Sequence, residues 1–142
     1  KDKSTKALKK IGIEFEIIPG VPSASAAAAA AGIPLTRRLA ARRVQYITGH
    51  DVRGALPDNL NLAALADANA TTVVFMGQRT FPALATMLIG AGMSESTPAL
   101  LAEGISTPAE KLHRTTISEL SKRLTNSVSD APTLIIYGAL AI

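Results

Sequence analysis

The sequence contains no cysteine and no tryptophan, and aromatic residues make up only 4% of its 142 positions. The first absence excludes disulfides, thiolate nucleophiles and cysteine-based zinc sites. The scarcity of rings leaves alanine, leucine, isoleucine and valine to build the core. It also leaves little on which nucleic-acid bases could stack, so nucleic acid is not the expected partner. Long apolar runs are missing too. The most extended one centres on Ala26 to Ala31 and is roughly half of the ~20 residues needed to span a bilayer, so no membrane partner is expected. The first ten residues carry five lysines, unlike a secretory signal, and a cytoplasmic location is expected. The chain starts at Lys1 without methionine and is read as a fragment of a longer protein.

What is present is a globular composition, 47% hydrophobic with a formal net charge of +4. The length suits one domain or slightly more. The positive charge suits an acidic partner, among them a polycarboxylate or phosphate ligand, and equally a merely soluble surface.

Strand and helix patterns alternate along the chain. Ser4 is placed to cap a short helix that runs to Lys10 with Gly12 beyond it, and Phe15 to Ile18 reads as a strand. Pro19, Gly20 and Pro22 make a turn, Ser23 is the expected cap of an alanine-rich helix, and Gly32 ends that helix ahead of Pro34. Arg43 to Thr48 alternates as a strand, Gly49 to Asn61 reads as a loop, and a short helix follows over Leu62 to Ala68. Thr71 to Met76 is a buried-strand run. Phe81, Leu84, Ala85, Leu88 and Ile89 fall on one face of a helix ended by Gly92. Strands are expected at Ala99 to Ala102, Leu112 to Thr116 and Thr133 to Tyr137, with a helix over Ile117 to Leu124. The pattern predicts an α/β fold with a mixed sheet flanked by helices, with antiparallel pairing between Pro98 and Thr116, where two strands follow without a helix between them.

Three segments, in order and at matching spacing, resemble the tetrapyrrole methylase superfamily. They are Ile18-Pro19-Gly20-Val21-Pro22-Ser23-Ala24; Gly32-Ile33-Pro34-Leu35-Thr36-Arg37-Arg38 followed by Thr48-Gly49-His50; and Val74-Phe75-Met76-Gly77. The second is similar to a pair found in the uroporphyrinogen-III methyltransferase branch. The resemblance runs from Ile11 to Tyr137. It implies the C-terminal domain of a two-domain enzyme, with residues 1–20 ending the N-terminal domain and the interdomain connection and 21–142 forming the C-terminal domain. Two glycine-rich segments of the family's N-terminal half have no counterpart here.

The resemblance implies S-adenosylmethionine as methyl donor, a tetrapyrrole substrate and a homodimer. It places Pro22, Ser23, Met76, Gly77 and Gly104 beside the cofactor. Pro22 stands where the family has Thr or Ser, which removes a hydroxyl and a backbone N–H. Glycine at 77 admits a ligand to the backbone, and methionine packs adaptably on a flat ring. Arg38 matches the family's arginine and is the expected substrate-binding residue, since a guanidinium pairs with carboxylates through two parallel hydrogen bonds. Arg37, Arg42 and Arg43 complete a basic cluster whose alternative is a solvated face. His50 ends a predicted strand and His113 has no visible partner; no metal site is expected. The implied reaction is C-methylation of uroporphyrinogen III to precorrin-2 in siroheme and cobalamin biosynthesis, with this chain inactive by itself. The alternatives are another precorrin methyltransferase of the superfamily, or a non-catalytic basic α/β binding domain.

Overall fold

The computed structural model describes residues 2–142, apart from the side chain of Asp2. The elements run α1 (Asp2–Lys10), α2 (Ser23–Ala31), β1 (Arg43–Thr48), α3 (Leu62–Leu65), β2 (Ala70–Phe75), α4 (Phe81–Gly90), β3 (Pro98–Glu103), β4 (Lys111–Thr116), α5 (Ile117–Asn126) and β5 (Thr133–Tyr137). The strands form one sheet in the order β1-β2-β5-β3-β4. β1 and β2 are parallel, and every other pairing is antiparallel. The mixed α/β sheet predicted from the sequence is therefore present, as is the antiparallel pairing of β3 with β4.

Both faces of the sheet are covered, so its central strands β2, β3 and β5 are buried along nearly their whole length. Alternate side chains go to opposite faces. Val74, Leu101, Ile135 and Tyr137 meet α4 and α5 through Phe81, Leu84, Leu88, Ile117, Leu120 and Leu124. Val73, Leu100, Ala102, Leu134 and Ile136 meet α2. Alanine has the highest helix propensity, and its small side chain lets α2 lie close against the strands. Ala24, Ala27, Ala28 and Ala31 recur at helical spacing and are buried. Phe81, Leu84, Ala85 and Leu88 make the equivalent stripe on α4, while Ile89, expected to extend it, is 38% exposed. α5 is capped by Thr116, whose side chain accepts a hydrogen bond from Glu119 N.

Several local expectations are corrected. Phe15 to Ile18 is not a strand. Its phenylalanine and two isoleucines suit a strand, but none of the sheet's strands pairs with it, and Ile17 and Ile18 are largely exposed. The cap of α2 is Pro22 rather than Ser23, and no side chain caps the helix; the Pro22 carbonyl accepts from Ser25 N and Ala26 N instead. The first helix already includes Asp2 and so starts ahead of Ser4. The third ends at Leu65, where Ala66 bonds back to close it. Met76 lies just outside β2.

Candidate functional site

Because β5 opposes both β2 and β3, the carboxyl ends of β1, β2 and β3 and the start of β5 share one edge of the sheet. Thr48, Phe75, Leu134 and Ala102 form one row across it. The residues just beyond that row make a rim. In open α/β sheets such a rim, outside the strand ends, is where ligands gather.

Met76 leaves β2 with φ 52, a left-handed conformation uncommon for a residue with a side chain. Its side chain is 55% exposed at the rim. Gly77 behind it is buried. Its carbonyl accepts from Thr80 N at 3.1 Å and Phe81 N at 2.8 Å, starting α4. A Cβ at Gly77 would lie 2.5 Å from Val74 Cγ1, and one at Gly49 would lie 2.5 Å from Gly77 Cα. The two glycines thus allow the ends of β1 and β2 to pack on each other. Gly49 N donates to Phe75 O, and the Thr80 hydroxyl donates to Gly49 O.

Gly104 leaves β3 with φ 55, donates to Pro132 O at 2.9 Å, and accepts from the Thr107 hydroxyl at 2.6 Å. Ser23, the first residue of α2, joins Gly104, Ala102, Thr133 and Leu134 around an apolar crevice of about 120 Å3. Thr133 also borders a second cleft of about 420 Å3, lined by His50, Arg53, Met76, Gln78 and Arg79. The two openings therefore adjoin, and Met76 and Gly104 are two strand spacings apart, ~10 Å. Pro22 is exposed and contributes its carbonyl to the helix start rather than a wall of either opening.

On the other face, Gln78 borders a third crevice of about 260 Å3 with Glu103, Lys111, His113 and Arg123. Glu103 is buried and its Oε2 lies 2.8 Å from His113 Nε2. The Arg123 guanidinium is 3.2 and 3.3 Å from the two ring nitrogens. His113, partnerless in the sequence, is therefore held from two sides. His50 Nδ1 is 2.9 Å from Asp51 O, so this nitrogen donates and Nε2 is the unbonded one. The Asp51 carboxylate accepts from Ala55 N, and also from Arg53 N and Nε. These bonds, led by the one from Ala55, hold it below the ordinary carboxylate range. Among the described residues no group of three or more His, Asp or Glu could hold a metal.

Arg38 is not at this rim. It lies in the turn closed by Arg37 N donating to Ala41 O at 2.7 Å, just before β1. With Arg42 it lines openings that include Thr36 and Asn69. That is the opposite edge of the sheet, a strand of six residues away, or ~17–20 Å. Arg43 at the same edge pairs with Asp67 at 2.8 Å. The structure thus brings Ser23, Met76, Gly77 and Gly104 to one edge and leaves Arg38 at the other. Sequence reasoning passed over Arg53, Gln78, Arg79 and Thr133. The signal for Arg79 was its place two residues after Gly77.

Residues 3–121 match the family profile of the tetrapyrrole (corrin/porphyrin) methylases, and the chain belongs to that family. It is 40% identical over 134 residues to an S-adenosyl-L-methionine-dependent uroporphyrinogen III methyltransferase, chloroplastic, of Arabidopsis thaliana, covering 92% of this chain and 36% of the relative. It is 39% identical over 127 residues to a siroheme synthase of Azotobacter vinelandii, covering 89% of this chain and 27% of the relative. The chain therefore spans about a third of these curated relatives or less. Among solved structures, a cobalt precorrin-4 methyltransferase of cobalamin biosynthesis superposes with a TM-score of 0.81 at 32% identity, over 96% of this chain and 57% of that one. A uroporphyrin-III C-methyltransferase from Thermus thermophilus, complexed with S-adenyl homocysteine, superposes with a TM-score of 0.74 at 29% identity, over 96% and 58%.

Proposed function

We propose that this chain forms one wall of the active site of an S-adenosylmethionine-dependent C-methyltransferase that converts uroporphyrinogen III to precorrin-2. The observation that carries the reading is convergence. Three segments far apart in sequence, at Ser23, Met76-Gly77 and Gly104, meet along one edge of the sheet around adjoining openings. The names of the relatives and the S-adenyl homocysteine complex of a structural neighbour support the same ligand chemistry.

The rim residues suit that cofactor. Gly104 borders the crevice without a side chain of its own, the crevice beside Ser23 is apolar, and the exposed Met76 offers a polarisable thioether to a flat ring. S-adenosylmethionine, when bound, supplies an electrophilic methyl group on a sulfonium. The chain's own contribution is to bind, orient and exclude water from one side, so its share of rate enhancement is positional. That suits a rim with no activated nucleophile. The other wall is proposed to come from an N-terminal half. In support, Ile11, Ile13, Ile17, Ile18 and Val21 are all exposed along the segment leading to Pro22, more large apolar side chains than one short segment usually leaves to water. The same reading takes the enzyme as a cytoplasmic homodimer.

A second reading is methylation of a later precorrin. It is favoured by the cobalt precorrin-4 enzyme, whose superposition and identity exceed those of the uroporphyrin-III enzyme. Calorimetric titration with S-adenosylhomocysteine, on the chain fused to an N-terminal half from a relative, tests the site. Binding that weakens on Met76→Ala is expected; affinity indifferent to Met76 would remove this edge from the cofactor site. Supplying uroporphyrinogen III and a precorrin-4 substrate in parallel separates the two reactions.

A further inference from the structure

We propose that Arg79, with Arg53 beside it, is the carboxylate-recognition site for the tetrapyrrole, rather than the Arg38 cluster. The inference rests on the C-methyltransferase reading above and assigns the residues that make its substrate a polycarboxylate.

The acetate and propionate groups of a uroporphyrinogen ring are attached at, or next to, the carbon that is methylated. Their carboxylates must therefore lie within a few bonds of the transferred methyl, and so at the cofactor rim. The cleft of about 420 Å3 at that rim is lined by Met76 and by two guanidiniums and an imidazole, from Arg53, Arg79 and His50, with no carboxylate among its lining residues. Arg38 and its neighbours stand a strand length away, at the other edge.

Arg79 is also held for the purpose. It is exposed, and no hydrogen bond or ion pair engages its guanidinium among the described residues. Its backbone, by contrast, is clamped on both sides. Gln78 exchanges two hydrogen bonds with Ser129, at 2.9 and 2.6 Å. Thr80 is buried and bonded to Gly49 O and Gly77 O. An unengaged guanidinium gives up no protein partner when it binds a planar anion, and the fixed backbone confines the ordering cost to the side chain's own rotamers. Arg53 donates from its Nε and backbone N to Asp51, at 3.1 and 2.7 Å, and its terminal nitrogens have no partner among the described residues. Asp51 thereby orients it. At the other edge Arg42 spends its Nε on the Arg38 carbonyl and Arg43 pairs with Asp67, as Arg53 does with Asp51; the Arg38 guanidinium is as unengaged as that of Arg79, so distance from the rim is what separates the two.

The test is a fluorescence titration with uroporphyrin, which carries eight carboxylates, and coproporphyrin, which carries four. It uses the chain joined to the N-terminal half of a relative, as wild type, Arg79→Gln, Arg53→Gln and Arg38→Gln. Arg79→Gln is expected to weaken uroporphyrin binding roughly tenfold, the scale of one charge-assisted pair at a solvent-open site. It should also flatten the salt dependence, narrow the preference over coproporphyrin, and leave S-adenosylhomocysteine affinity unchanged. Both arginines are exposed, so folding is not at stake, and matching melting curves check it. Wild-type affinity in Arg79→Gln and Arg53→Gln, or a loss confined to Arg38→Gln, overturns the assignment while the function stands. A wild-type protein that binds neither porphyrin overturns the functional reading itself.

Discussion

Met76 combines a strained backbone with an exposed side chain, and a pair of substitutions separates the two. At an ordinary position with negative φ, glycine is less stable than alanine by about 0.5–1 kcal/mol, because its unfolded state is freer. At φ 52 the order should reverse. A left-handed residue with a Cβ costs about 1–2 kcal/mol, which glycine avoids. Net of the entropy term, Met76→Gly should exceed Met76→Ala in stability by about 1 kcal/mol, or roughly 3 °C in melting temperature for a chain of this size. The methionine side chain is 55% exposed, and its loss is common to both variants, so it cancels from the difference. Both variants should weaken S-adenosylhomocysteine binding by about two- to tenfold, the scale of a thioether-to-ring contact. Thermal melts of the two variants, with ligand titration, make the comparison. A glycine variant no more stable than the alanine one would refute the strain argument, and unchanged affinity in both would refute the contact.

Further predictions follow from the core and the strand ends. Burial pushes the pKa of the Tyr137 hydroxyl up to about 12 from its ordinary 10.0, and it donates to Leu65 O at 3.0 Å. The folded state therefore holds this proton more tightly than the unfolded state does. The stability it confers is complete below pH ~10 and is lost as pH rises toward ~12, by roughly 2–3 kcal/mol in all. Alkaline denaturation of Tyr137→Phe should lack that component; an identical alkaline profile would count against it. Gly49→Ala would drive a Cβ to 2.5 Å from Gly77 Cα, an overpacking worth about 1–3 kcal/mol, read as a lower melting temperature; an unchanged melt would show that the strand ends are loosely packed. For the same reason Gly77→Val would strike Val74 and is a folding variant, unsuited to testing ligand approach at that glycine.

The sheet was legible in the sequence because its strands are self-announcing. Arg43–Thr48 and Thr133–Tyr137 alternate or run apolar between clear breakers, and both lie where the pattern put them. Strand pairing is a different matter. Phe15 to Ile18 has a strand's residue types, but pairing needs a partner edge, and none of the described strands pairs with it. The Glu103–His113 contact joins residues ten apart whose meeting depends on the antiparallel register of β3 with β4, in which Leu101 sits opposite His113. Composition carries no trace of that. The separation of Arg38 from Met76 was readable in principle. Arg38 precedes β1 and Met76 follows β2, and two parallel neighbours put those positions at opposite edges. What concealed it was reading charge as a run, which drew attention to four clustered arginines and away from single ones at the rim.

The central claim is that this chain is one wall of a two-walled methyl-transfer site, and incubation with methyl-labelled S-adenosylmethionine and uroporphyrinogen III tests it most directly. The assay compares residues 1–142 alone with the same chain joined to a glycine-rich N-terminal half. The account predicts a folded chain with no turnover by itself, and label appearing in precorrin-2 when the second half is supplied. Robust turnover by residues 1–142 alone, or none in the joined form, would contradict it.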